Sequence, residues 1–126
     1  MKAYTDLEQS KKLAEILPIE SADMWWAERY EGRVLENGQY VVNDTPYYYL
    51  SIVQPSINNF SQDTVKDVPC WSLAALLDYL SANFRVTIKY LDNYWELDCR
   101  VQIMYSKELV DACYEMIIEL NKRKFL

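Results

Sequence analysis

The chain of 126 residues contains no histidine. Histidine is the commonest general base, transition-metal ligand and partner of a catalytic serine or cysteine, so its absence removes most metal sites and nucleophilic triads. Glycine occurs only at Gly32 and Gly38, which excludes glycine-rich phosphate loops and the Gly-x-Ser-x-Gly elbow of hydrolases. We therefore predict no catalytic residue, no metal site and no cofactor, and we expect a protein that is not an enzyme.

Cysteine and long apolar runs are also scarce. Cys70, Cys99 and Cys113 are an odd number with no close pair, which favours neither a disulfide framework nor a zinc site. No run of 18 apolar residues occurs, and the N-terminal segment lacks the apolar core of a secretory signal. The sequence thus predicts a cytoplasmic protein without membrane contact.

The charge is acidic, with 19 carboxylate side chains against 13 cationic ones and a net charge of −6. This excess opposes attraction to nucleic-acid phosphates or anionic lipid, so we expect no direct nucleic-acid binding. The same charge leaves open an acidic mimic of DNA that inhibits a nucleic-acid-binding protein. A hydrolase that uses carboxylates and a metal ion is a further alternative.

Hydrophobic residues make up 51% of the chain and charged residues 25%, which is typical of one globular domain with a single core. We expect that domain to span residues 1–126. Apolar periodicity predicts helices near residues 6–17, 72–81 and 107–122. The first carries a Thr5–Glu8 capping box and the second begins after Ser72 as N-cap.

Strand-forming residues dominate 24–30, 39–43 and 47–53, and Asn37-Gly38 is a suitable turn between the first two runs. Residues 54–68 are rich in Pro, Ser, Asn and Asp, which predicts a loop.

Residues 84–103 carry the clearest strand pattern, because apolar and polar side chains alternate on both sides of Asp92-Asn93. A two-residue turn there pairs Tyr90 with Trp95 and Lys89 with Glu96. The same register places Ile88, Tyr90 and Trp95 on the inward face. Continued to residue 103, it also places Arg85 opposite Arg100, two like charges.

The stretch DVPCWSLAALLDYL, residues 67–80, places Cys70 just before a predicted helix, where thiols can become reactive. With Ser72 as N-cap, Cys70 lies beyond the amides that would stabilise a thiolate, and the chain has no histidine to accept its proton. Cys99 and Cys113 fall on predicted inward faces. All three thiols are therefore interpreted as structural.

Aromatic side chains crowd the first half of the chain, at Trp25, Trp26, Tyr30, Tyr40, Tyr47, Tyr48 and Tyr49. Alternation along a strand turns some of each run away from the core, so Trp25 faces outward if Trp26 and Tyr30 face inward. Exposed aromatic rings commonly serve protein recognition. The candidate binding residues are Trp25, Tyr47, Tyr48 and Tyr49, and the alternative is that a helix covers them.

Three segments, LEQSKKLAEILPIE with the following SADM, VPCWSLAALLDYL and LVDACYEMIIEL, occur in that order. In this arrangement the chain resembles the small uncharacterised proteins encoded by phages and integrated mobile elements of Bacteroides-type gut bacteria. The resemblance covers most of the chain and consists of helix caps and core stripes. It implies a mobile-element context and intracellular action, and it supplies no catalytic residue.

These patterns together predict an α+β domain, with an antiparallel sheet of about four to five strands packed against two or three helices. The leading hypothesis for function is a non-enzymatic module that binds an unidentified protein partner. Homodimerisation through an open sheet edge stays open.

Overall fold

A computed structural model describes residues 1–52 and 67–126. Its helices are α1 (Leu7–Ala14), α2 (Leu73–Asn83) and α3 (Leu109–Lys122), with a 3-10 turn at Ile19–Ser21. Its strands are β1 (Met24–Arg29), β2 (Gly32–Val34), β3 (Tyr40–Val42), β4 (Tyr47–Ser51), β5 (Val68–Cys70), β6 (Thr87–Leu91), β7 (Tyr94–Asp98) and β8 (Ile103–Ser106). The predicted α+β class is confirmed.

The strands of the described residues form three antiparallel sheets, ordered β4-β1-β5, β2-β3 and β6-β7-β8. The expected single sheet of four to five strands is therefore divided. The Asn37-Gly38 turn was expected to join residues 24–30 to 39–43, but it joins β2 to β3, while β1 pairs with β4. The Leu35 amide donates to the Gln39 carbonyl, which leaves a three-residue loop, 36–38, and Gly38 closes this loop in the left-handed conformation with φ +84°.

The first helix starts one residue later than its predicted capping box. Asp6 is the N-cap, and its carboxylate and the Gln9 side chain satisfy each other's backbone amides. Thr5 is fully buried, where its hydroxyl accepts a bond from the Trp71 amide at 3.2 Å and contacts the Ser10 hydroxyl at 2.7 Å. Thr5 thus anchors the N-terminal segment to the chain after β5 and is not the cap.

The predicted loop at 54–68 ends in a strand, because Val68 and Cys70 belong to β5 and pair with β1. Residues 54–66 of that prediction lie outside the described residues. Pro69 is tolerated because β5 is the edge strand of its sheet. Ser72 is the N-cap of α2, as predicted, and its hydroxyl accepts a bond from the Ala75 amide at 3.1 Å.

The hairpin around Asp92-Asn93 has the predicted register, with Tyr90 opposite Trp95 and Lys89 opposite Glu96. The second strand is shorter than predicted, because β7 ends at Asp98 and the chain reverses before β8. Arg100 makes this turn with φ +70°, and its amide donates to the Asp98 carboxylate at 2.7 Å. The expected Arg85–Arg100 pair is therefore not formed.

Two substitutions at Arg100 test whether the backbone turns at this residue or continues as a strand. We expect Arg100→Val to destabilise the protein by about 1–2 kcal/mol, because a β-branched residue tolerates a left-handed backbone poorly. Arg100→Gly should be neutral or stabilising by about 0.5 kcal/mol, because glycine adopts this φ without strain. Urea denaturation of both variants measures the difference. A Val variant more stable than the Gly variant would contradict the turn.

The core is centred on α3, which contacts α1, α2, β7 and β8. Seven of its side chains are buried, namely Leu109, Val110, Ala112, Cys113, Met116, Ile117 and Leu120. Leu97 of β7 is buried beneath it, as the alternation predicted. Ile88 and Tyr90 project to the same side as Leu97 and Trp95, as predicted. Both are nevertheless exposed, because β6 is the sheet edge beyond the strands that α3 packs against.

Candidate functional site

The pairing of β1 with β4 brings three of the four candidate binding residues to one side of their sheet. Arg29 lies opposite Tyr47, Ala27 opposite Tyr49, and Trp25 opposite Ser51. Residues directly opposite in an antiparallel pair project to the same side, and side chains alternate along each strand. Trp25, Arg29, Tyr47 and Tyr49 thus form one surface, which we call the aromatic face.

The two tyrosine rings of this face reach solvent and contact each other. Tyr47 is 46% exposed and Tyr49 42%, whereas Trp25 is half-buried. The Tyr47 and Tyr49 ring centroids lie 6.5 Å apart, within the range of favourable aromatic pairs. The Arg29 guanidinium lies 5.8 Å from the Tyr49 centroid, in cation–π range.

Arg29 is held in place by Asp67, which comes from the chain just before β5. The guanidinium donates to the Asp67 carboxylate at 2.9 Å, and the same oxygen accepts from the Glu28 amide at 3.3 Å. Both partners of this ion pair are largely buried. The aromatic face therefore carries a cation whose position is fixed by an ion pair within the chain.

Tyr48, the fourth candidate, lies on the opposite face. Its hydroxyl donates to the Glu28 carboxylate at 2.8 Å, and this bond together with burial raises the pKa of Tyr48 to about 12. The Lys11 ammonium of α1 lies 5.8 Å from its ring centroid. Tyr48 is thus separated from Trp25, Tyr47 and Tyr49 by the sheet itself.

Helix α1 packs on the Tyr48 side of this sheet. Trp26 projects to that side, where its indole N–H donates to the Thr5 carbonyl at 3.1 Å and its ring meets Tyr4 edge-on at 5.9 Å. A helix does cover one face of the sheet, as the alternative interpretation expected, but the face is that of Trp26 and Tyr48. Trp25 projects to the other side, as predicted.

The three thiols are buried, as predicted. Burial raises the pKa of Cys70, although bonds from Thr5 and Ser10 oppose the effect, and the Cys70 sulfur lies 3.5 Å from the Thr5 hydroxyl. Burial also raises the pKa of Cys99 to about 11 and that of Cys113 to about 12. A thiol needs a lowered pKa and access to act as a nucleophile, and these have neither.

A cleft of about 430 Å³ lies between the 3-10 turn and α2, with Glu20, Asp23 and Asp78 on its wall. Asp23 already accepts bonds from the Ser72 amide, at 2.9 Å, and from the Ser72 hydroxyl. Across residues 1–52 and 67–126, no group of three or more metal-ligating side chains is arranged to hold an ion.

Sequence reasoning missed a second pair of exposed rings on the outer side of β6-β7-β8. Tyr94 and Tyr105 contact edge-on at 5.7 Å, and Tyr105 is 58% exposed. A hydrogen bond to Glu96 raises the pKa of Tyr105. The alternation of Tyr94 and Glu96 marks this side, but Tyr105 joins it only through the pairing of β8 with β7.

No family model, curated protein or solved structure matches this chain. The resemblance to phage and mobile-element proteins accordingly stays a prediction. In the described part of the chain, no helix combines the length and apolar character that a membrane span requires.

Proposed function

We propose that this protein is a small, non-enzymatic, intracellular protein-binding module of phage or mobile-element origin. We further propose that its aromatic face, formed by Trp25, Arg29, Tyr47 and Tyr49, contacts the partner. The supporting observation is the exposure of Tyr47 and Tyr49 side by side on the sheet side opposite the one on which α1 packs.

The chemistry of the aromatic face suits protein recognition. Tyr, Trp and Arg are the residues most enriched among those that dominate binding energy at interfaces. A tyrosine loses little conformational entropy on binding because its ring has only two rotatable bonds. Arg29 is already oriented by Asp67 at 2.9 Å, so its ordering cost on binding is reduced.

The proposal is tested by affinity capture from a lysate of a Bacteroides-type host, followed by quantitative mass spectrometry. The test variant is Tyr47→Ser/Tyr49→Ser, and the matched control is Tyr94→Ser/Tyr105→Ser, which removes the other exposed ring pair. We expect the test variant to reduce capture of the partner at least about tenfold, the loss that follows from removing about 1.4 kcal/mol of binding energy. The control should retain it.

Equal capture by the wild-type protein and the Tyr47/Tyr49 variant would overturn the assignment of this face. Circular dichroism of both variants checks that the fold is retained. The acidic DNA-mimic alternative stays a hypothesis, and the same experiment addresses it. A mimic would capture a nucleic-acid-binding protein that added duplex DNA displaces in competition, with no dependence on Tyr47 or Tyr49.

A further inference from the structure

The hairpin formed by β2 and β3 carries an exposed apolar row. Val34, Tyr40 and Val42 lie on one face of the hairpin, and they are 69%, 63% and 48% exposed. The Tyr40 ring lies across Gly32, where any Cβ would collide with its hydroxyl. We call Val34, Tyr40, Val42 and the adjacent Tyr30 the ribbon row.

The row continues towards the body of the protein through a recess. Tyr30, Val42, Asn43 and Asp44 line a volume of about 260 Å³. Burial and the nearby Glu28 carboxylate raise the pKa of Tyr30, and Glu28 is on the sheet face that α1 covers. The ribbon row therefore extends that face outward from the part on which α1 packs.

A two-stranded hairpin is only marginally stable in water, and a third strand or a packed apolar face is what stabilises it. The exposed row is thus the kind of surface that another surface covers. Its surroundings are acidic, because residues 31–44 contain Glu31, Glu36 and Asp44 against Arg33 as the single cation. An occupant that fits this surface is apolar and cationic.

The C-terminal end of α3 has this chemistry. Lys122, Arg123 and Lys124 are exposed and are followed by the exposed apolar residues Phe125 and Leu126. We call residues 122–126 the C-terminal patch. The Arg123 guanidinium lies 5.5 Å from the Phe125 ring centroid and donates to the Val101 carbonyl at 3.0 Å, so the patch has a fixed position on the fold.

Within the described residues, neither surface uses its charged side chains in an ion pair. The ion pairs recorded among residues 1–52 and 67–126 involve Lys2 and Arg29. Neither cation belongs to the C-terminal patch, and neither bonds to a carboxylate of residues 31–44. The ribbon is a sheet of its own, while α3 contacts α1, α2, β7 and β8, so the two surfaces belong to different parts of one molecule.

We propose that the occupant of the ribbon row is a second copy of this chain, which docks its C-terminal patch there. Phe125 and Leu126 cover the apolar row, and Lys122 and Lys124 face the carboxylates of the hairpin. This contact joins two different surfaces, so it closes as a symmetric dimer if each copy serves the other and extends as a chain of molecules if it does not. The proposal is independent of the aromatic face.

Light scattering coupled to size exclusion, and sedimentation at several concentrations, measure the assembly. We expect the wild-type protein to self-associate and to dissociate as salt is raised from about 0.05 to about 0.5 M, because exposed ion pairs are screened. Tyr40→Ser should weaken association at least about tenfold. The control Tyr105→Ser removes a tyrosine of similar exposure, 58% against 63%, and should leave association unchanged.

Charge reversal provides the decisive experiment. Glu36→Lys/Asp44→Lys and Lys122→Glu/Lys124→Glu should each lose self-association, and an equimolar mixture of the two variants should recover it, because each then offers a complementary surface. A monomeric wild type, association that survives Tyr40→Ser, or a mixture that stays monomeric would each overturn the proposal. A different protein captured on the ribbon by a monomeric wild type would likewise overturn it.

Discussion

Replacing Trp71 by alanine is expected to lower the free energy of unfolding by about 3–5 kcal/mol. Trp71 is fully buried in the cluster that includes Leu13, Leu76 and Met116. Its indole N–H donates to the Ser21 hydroxyl at 2.9 Å. The substitution therefore opens a large cavity and also removes the donor to Ser21. Such a loss is a large part of the total stability of a domain of this size.

Urea denaturation followed by circular dichroism measures the effect. Two controls separate its components. Trp71→Phe keeps most of the buried ring but loses the bond to Ser21, so we expect about 1–2 kcal/mol. Tyr40→Ala removes an aromatic ring that is mostly exposed and should change stability by less than about 1 kcal/mol in the monomer. A Trp71→Ala variant no less stable than Tyr40→Ala would refute the position of Trp71 in the core.

Local patterns in the sequence were sufficient for much of this fold. The spacing of apolar residues after Ser72 determined α2 and its cap, because a helix cap and a core stripe depend on neighbours only a few residues away. Asp92-Asn93 fixed the β6–β7 register for the same reason, and both residues adopt positive φ as a two-residue turn of this kind requires.

Predictions that depended on distant contacts failed. Thr5 has the chemistry of an N-cap, but its hydroxyl is engaged by the Trp71 amide 66 residues away, so Asp6 caps the helix. The alternation of residues 95–103 continues across Arg100, although the backbone reverses there, because a pattern of period two does not reveal a single residue with positive φ. A proline disfavours a strand prediction, yet β5 forms around Pro69 because it pairs with β1.

The candidate site shows the same division. Alternation along a strand established that Tyr47, Tyr48 and Tyr49 could not share a face, and the structure places Tyr48 apart from the other two. Alternation could not establish that Asp67 fixes Arg29 beside Tyr49, because these residues meet only through the pairing of three strands. Arg29 is thus a member of the aromatic face that sequence reasoning omitted.

The native protein is expected to react with a disulfide reagent at pH 8 at least about a hundredfold more slowly than the chain unfolded in denaturant. Only the thiolate reacts, and a pKa of about 12 for Cys113 reduces its thiolate fraction about a thousandfold relative to an ordinary thiol. Burial of Cys70 and Cys99 also restricts access of the reagent. Labelling should become fast only as denaturant populates open states.

The pH dependence follows from the same shifts. Because the pKa values of Cys99 and Cys113 are raised to about 11 and 12 in the folded state, their contribution to stability is complete below the pKa of an unfolded thiol. It is lost as the pH rises through the folded values. We therefore expect the thermal midpoint to decrease as the pH is raised from about 9 to about 12. Relative to the value of each protein at pH 8, this decrease should be smaller in Cys113→Ala than in the wild type.

Cys70 gives the most stringent test of the labelling prediction. It precedes a helix and would be the first thiol to react if helix position alone controlled reactivity. The Ser72 hydroxyl already accepts the bond from the Ala75 amide at the start of α2, and the Cys70 sulfur instead contacts the hydroxyl and carbonyl of Thr5. Cys70→Ser should therefore leave the slow native labelling rate of the other two thiols unchanged. A fast phase at neutral pH that Cys70→Ser abolishes would show an activated nucleophile and return enzymatic functions to consideration.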